Sequence, residues 1–297
     1  MTGKSIVVGI DGSPVAEAAL LWAARAADVW QLPLLIVLAG DLVDGADLAS
    51  GSPNPSADLL ASAERMVRRA GISCEVCTLL ADKEPEPLLE QLSETASLIV
   101  VGTGAEGRFT SILFGSVSSH VNAHASCPVI TVPPKWIEKP VSDDPQVIVG
   151  VKQSSGGAAA LEFALSYAQA SGARLTALRC WDRSLAQDPA DPLAERDVQQ
   201  RVLDAVVDAA AIRYPFVRVH KQLTPGPVHD ALRLAALNAD LLVIGTRYES
   251  GVRGSRLGPI AARLTHRMPC PVASVSAQGS ASADNTAGRD DKHDVRV

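Results

Sequence analysis

Two short stretches carry residue types suited to holding a charged ligand. In Leu98–Ser119 an apolar run, LIVV, gives way to Gly102, Gly104 and Gly107, and the stretch closes with Gly115-Ser116 at the head of a helical pattern. Backbone N–H groups of a glycine-bearing loop and the unpaired N–H groups of a helix N-terminus make a concave positive site, whose usual occupant is a phosphate. In the N-terminal VGIDGS, Asp11 and Ser13 stand directly after another apolar run.

Other constellations are weaker. His120, His124 and Cys127 form H-x3-H-x2-C, and two histidines at i and i+4 of a helix could share a metal. No carboxylate or fourth ligand lies near them in sequence, the helix leads straight into the apolar strand CPVITV, and the corresponding later segment keeps only His266 and Cys270. No metal is expected. Cys74 and Cys77 have C-x-x-C spacing, but GISCEVCTLL reads as a strand, on which residues three apart face opposite sides. They read as structural thiols. No G-x-S-x-G elbow, H-E-x-x-H or full G-x-x-x-x-G-K-[ST] P-loop is present, Gly3-Lys4-Ser5 lacking the upstream glycine, so familiar hydrolytic machinery is missing and a binding protein is expected, not an enzyme.

The elements that must position these residues occur twice. SIVVGIDGSP reappears as QVIVGVKQSS, so that Gly9 answers to Gly150; LIVVGTGAEG reappears as LLVIGTRYES, and CPVITV as CPVASV. In the first copy, strand-like runs Ser5–Ile10, Leu34–Ala39, Ser73–Leu80, Ser97–Val101 and Val129–Val132 alternate with amphipathic helical stretches. Strands alternating with helices predict a parallel sheet covered on both faces, because each parallel crossover needs a dozen or more residues. The fold class is therefore α/β, with two tandem five-stranded parallel-sheet domains of Rossmann-like design. The proline-rich stretch from Pro133 to Gln146 reads as a linker, the polar tail from Ala277 as disordered, and Gly40–Ser56 as a lid or rim loop.

Composition agrees with a globular chain. The 297 residues are 47% apolar, enough for a sizeable core, and the net charge of −6 gives no reason to expect a nucleic-acid or membrane partner. Five cysteines, no long apolar run and no signal-like N-terminus point to a cytoplasmic protein.

On these residues the chain resembles a tandem universal stress protein of the actinobacterial type, over roughly Ser5–Ser276. The implied boundaries are an N-terminal nucleotide-binding domain at 1–134, a linker at 135–145, a C-terminal domain at 146–276 and a tail at 277–297. The family's ATP-binding pattern is an Asp after strand one and G-x2-G-x9-G-(S/T) after strand four. Here that pattern falls on Asp11 and on Gly102, Ala105, Gly115 and Ser116, with Ala105 in place of the second glycine. The resemblance assigns Asp11 to the adenine amine, Ala39 to the base, and Gly102, Ala105, Gly115, Ser116 and Val117 to the ribose and phosphates. The implied ligand is ATP, alone or with Mg²⁺. In the second half Lys152 replaces the aspartate, Tyr248 the second glycine, and Gly258 is followed by Pro259 instead of Ser. Lysine cannot accept a hydrogen bond and proline has no N–H, so this site is expected to be degenerate. Lys152, Arg247 and Arg253 holding some other anion is the alternative.

The expected function is thus an ATP-binding, nucleotide-responsive regulatory protein in stress. A cyclic AMP-binding member and a nucleotide-free scaffold acting through protein contacts are the alternatives. The terminal strands PVITV and PVASV resemble the family's dimer-forming edge, which implies pairing between the halves and a homodimer, besides an unknown protein partner.

Overall fold

The computed structural model describes residues 4–40, 55–103, 115–138, 142–181, 192–246 and 268–277. The first half runs β1 (Ile6–Ile10), α1 (Pro14–Trp30), β2 (Leu34–Ala39), α2 (Pro55–Arg69), β3 (Val76–Ala81), α3 (Pro85–Ser93), β4 (Leu98–Gly102), α4 (Ser116–His124) and β5 (Val129–Val132). The second half repeats the plan with β6 (Gln146–Gly150), α5 (Ser155–Ser171), β7 (Arg174–Trp181), α6 (Pro192–Ala211), β8 (Val219–Pro225), α7 (Val228–Ala235), β9 (Leu241–Gly245) and β10 (Val272–Val275).

Local chemistry sets these bounds. Ser13 caps α1 by accepting from the Ala16 N–H at 3.3 Å, and Pro14 supplies the pre-set φ of a first helical residue. The helix ends at Gln31, whose backbone turns left-handed at φ 53°. Strand β3 starts at Val76, later than the apolar run suggests. Its partner β2 starts at Leu34, directly after Pro33, so Cys74 has no strand beside it to pair with.

The ten strands form one sheet in the order β3-β2-β1-β4-β5-β10-β9-β6-β7-β8. Pairing is parallel within each half and antiparallel where β10 meets β5, with Ala273 opposite Ile130. The two copies therefore join through their last strands inside one chain. This alters the expected homodimer: β5 lies between β4 and β10, and β10 between β5 and β9, so neither strand keeps an open edge for a second molecule.

Valine, isoleucine and leucine pack both faces of the sheet. One face carries a continuous core that runs across both halves, from Ile6, Leu34 and Leu98 to Leu161, Leu165 and Leu175. The other face carries two separate clusters, one around Leu89, Ile99 and Val121 and one around Leu232 and Leu242. The stretch read as a linker contains a 3-10 turn, Pro134–Glu138, whose Trp136 is buried in the shared core with Arg25 over its ring at 4.9 Å. A large aromatic covered in this way ties the connection down. The Gly40–Ser56 loop lies almost wholly outside the described residues, as does the tail after Ala277.

Candidate functional site

The strand order places a crossover point between β1 and β4. From β1 the chain moves outward through β2 to β3, then returns to the other side of β1 as β4. Loops that leave neighbouring strands in opposite directions open a crevice at their carboxyl ends, where ligands of open parallel sheets bind.

Register brings the expected residues to this edge. Ile10 lies opposite Leu38, and Val8 opposite Val100, so Asp11 follows the end of β1 while Ala39 and Gly102 end the adjacent strands β2 and β4. With neighbouring strands ~4.8 Å apart, the three lie within about 10 Å across the sheet. Helix α4 must return the chain to the start of β5, parallel to β4, so its N-terminus, Gly115-Ser116-Val117, sits at the same edge. Ala105 lies outside the described residues.

The two helix starts at this edge are finished differently. Asp11 is exposed, and its Oδ1 accepts the Ser13 N–H at 2.9 Å across a turn that holds Gly12 at φ 78°. With Ser13 capping it, α1 has its first turn served by its own side chains. At α4 the cap position is Gly115, which has no side chain, and no side-chain oxygen among the described residues caps this end. The Gly115 carbonyl accepts from the Ser119 N–H and the Ser118 hydroxyl, each at 3.1 Å. What α4 offers outward is the set of N–H groups and partial positive charge of any helix start, with the Ser116 side chain exposed beside them.

Gly102 has a packing role that the spacing did not suggest. A Cβ on it would stand 2.8 Å from Val15 Cγ2 and 3.0 Å from the Val15 carbonyl oxygen, so its bare Cα is what lets α1 lie against β4.

The second half takes this packing further. A Cβ on Gly245 would come within 2.4 Å of the Gly156 carbonyl oxygen, and one on Gly156 within 2.1 Å of the Thr246 carbonyl oxygen. Lys152 is exposed, and its carbonyl accepts the Ser154 N–H at 2.9 Å, while Ser154 Oγ caps α5. Arg247, Tyr248, Arg253, Gly258 and Pro259 lie outside the described residues.

One feature was missed in sequence. Beside Gly12 a small cleft, with room for about one water, opens between α1 and α2, its apolar lining of Ala16, Leu59, Ala63 and Met66 joined by Glu17 and Ser62. The available signal was the amphipathic pattern of α2, the helix that follows Ala39 in the chain. The histidine pair also changes its setting. His120 Nε2 lies 2.8 Å from Glu90 Oε2 of α3, so the carboxylate lacking nearby in sequence is supplied by another helix. Cys127 stays apart, buried in the core, where burial pushes its thiol up to about 12.

These features define the class: a doubly wound parallel α/β protein, duplicated in one chain, with a crevice at the strand ends of its first half. The chain belongs to the universal stress protein family, which it matches over residues 3–133 and again over 145–276. It is 29% identical over 280 residues to a universal stress protein of Mycobacterium tuberculosis, an alignment covering 90% of this chain and 94% of that one. A second M. tuberculosis universal stress protein is 28% identical over 289 residues, covering 90% and 95%. Among solved structures, a universal stress protein from Archaeoglobus fulgidus superposes with a TM-score of 0.64 at 20% identity, covering 93% of this chain and 100% of that one. The last likeness is one of fold. No described helix is long and apolar enough to cross a membrane.

Proposed function

We propose that the N-terminal half binds ATP and that the protein acts as a nucleotide-responsive binding protein, not as an enzyme. The observation that carries this reading is the meeting of Asp11, Ala39 and the uncapped start of α4 at one crossover point. An anion suits the α4 start, because no side chain among the described residues competes for its N–H groups. Asp11, exposed at the end of β1, can accept from the exocyclic amine of a nucleobase. Backbone donors with the Ser116 hydroxyl would hold the phosphates, with Mg²⁺ as a companion ion.

The C-terminal half lacks the acceptor, since Lys152 stands where Asp11 does. One nucleotide per chain is expected. A regulatory role requires that nucleotide and a partner favour the same one of two conformations, because a ligand indifferent to both shifts neither. Calorimetry on the full chain with Mg²⁺ present tests the reading. One ATP per chain, lost in Asp11→Ala and displaced poorly by cyclic AMP, supports it; two ATP per chain, or none, overturns it.

A further inference from the structure

We propose that Glu90, His120 and His124 form a divalent transition-metal site, best suited to zinc, that clasps α3 to α4. Nothing in this proposal rests on the nucleotide reading.

The donors come from two helices. His120 and His124 are one helical turn apart on α4 and therefore share a face, and Glu90 reaches them from α3. The His120 and His124 rings stack with centroids 4.3 Å apart and planes inclined by 26°. One nitrogen of each ring and one Glu90 oxygen all lie within 4.8 Å of one another. Two imidazoles with one carboxylate make a recognised zinc donor set, with bonds of about 2.0–2.2 Å and an open position for solvent.

The hydrogen bonds prepare the rings for this. His124 Nδ1 lies 2.9 Å from the His120 carbonyl oxygen. A carbonyl only accepts, so in the neutral ring Nδ1 carries the proton and Nε2 keeps its lone pair. Metal-bound histidines commonly hold their second nitrogen in this manner, which fixes tautomer and orientation. Between His120 Nε2 and Glu90 Oε2 a proton now occupies the place an ion would take. On binding, the neutral His120 ring carries its proton on Nδ1 and turns the Nε2 lone pair to the metal. In a tetrahedral site this N···O separation becomes about 3.3 Å, a small opening from 2.8 Å. Both side chains are partly exposed, at 32% and 45%, so torsion alone supplies the adjustment and solvent can fill the remaining position.

The bland account is a simple His–Glu hydrogen bond with a second ring resting on it. It explains the 2.8 Å contact but not a third donor held in the tautomer that leaves its lone pair available. The two accounts separate by experiment on the full chain, stripped with a chelator and titrated with Zn²⁺ in competition with a chromophoric chelator; Co²⁺ uptake is followed by visible absorption. One ion per chain is expected. His124→Ala and His120→Ala should each weaken affinity by about 100-fold or more, and Glu90→Gln by at least about tenfold. Cys74→Ser with Cys77→Ser should leave affinity unchanged, which separates this site from the C-x-x-C pair. His124 is exposed and its loss leaves the Glu90–His120 contact in place, so His124→Ala is the variant least open to a folding artefact; its melting curve is recorded alongside. Failure to take up zinc at micromolar concentration, or uptake that persists at full affinity in His120→Ala and His124→Ala, overturns the proposal.

Discussion

Trp22 and Tyr167 stack across the junction of the two halves, with ring centroids 6.1 Å apart and planes inclined by 11°. Trp30 adds edge contacts to Tyr167 at 5.3 Å and to Phe163 at 5.6 Å. The first helix of each repeat, α1 and α5, is thus joined to its counterpart by an aromatic cluster on the face opposite α3, α4 and α7. Truncating Tyr167 to alanine removes the ring that both tryptophans touch and should destabilise the protein by about 3 kcal/mol, read as a lowered urea midpoint.

The same tyrosine predicts an alkaline limb of stability. Burial pushes its phenol from 10.0 up to about 12, with Asp240 adding to the shift and Arg25 opposing it. The folded state holds this proton more tightly than the unfolded chain does, so stability from this group is complete below pH 10 and is lost as pH rises through 12. Urea midpoints measured from pH 8 upward should fall along this limb, and Tyr167→Phe should flatten it. Burial also pushes Cys127 and Tyr214 up to about 12 and Cys180 up to about 11, so a residual slope that starts near 9 remains after Tyr167→Phe.

Gly102 and Gly245 hold the same place in the two repeats but should differ in tolerance. A methyl at Gly102 meets the movable Val15 Cγ2 first, at 2.8 Å; one at Gly245 meets backbone, the Gly156 carbonyl oxygen at 2.4 Å. Gly102→Ala should cost about 1–3 kcal/mol and Gly245→Ala more, compared by thermal denaturation. Adding Val15→Ala should relieve only part of the Gly102→Ala defect, because the Val15 carbonyl oxygen remains 3.0 Å away.

Gly115→Asp separates nucleotide binding from folding. The backbone there, φ −62° and ψ 126°, suits any residue, and aspartate is a favoured helix cap. Its carboxylate would take the N–H groups proposed for phosphate and repel the anion. Melting temperature should hold or rise while ATP affinity falls about tenfold or more. Unchanged affinity, measured by calorimetry, would place the phosphates elsewhere.

Ala273→Pro tests the seam. Ala273 sits in β10 between β5 and β9, opposite Ile130, where proline removes a ladder hydrogen bond from the middle of a sheet. A lowered melting temperature with earlier exposure of the Trp22–Tyr167 junction is expected. Fluorescence of the tryptophans during urea unfolding would report it.

Much of the architecture was legible along the chain. The repeated strand-glycine signatures at Gly9 and Gly150 mark two copies, and the strands over Leu34–Ala39 and Val129–Val132 stand where periodicity puts them. Local propensity decides such elements, because capping by Ser13 and alternation of apolar residues act within a few positions. Bounds that depend on a neighbour were less legible. The start of β3 follows the start of β2, which lies far from it in sequence.

For the candidate site, sequence named the residue types and the edge on which they lie. Asp11 and Gly115 stand out by residue type, directly after an apolar run and at the head of a helical pattern, whereas Ala39 was implied by the family resemblance alone. Gly102 was named as the head of a glycine loop, and its packing role is an addition, since the closeness of Val15 depends on how a helix settles on the sheet.

Sequence by itself thus determined the duplication, the alternation of strands and helices, and the loss of the aspartate in the second copy. These are properties of residue type and period, set by local sterics and hydrophobic pattern. Tertiary structure alone decided that Trp136 enters the shared core, that Tyr167 meets Trp22, and that Glu90 reaches His120. Each of those contacts joins residues brought close only when the helices dock on the sheet, because burial of apolar surface, which drives docking, acts without regard to separation along the chain.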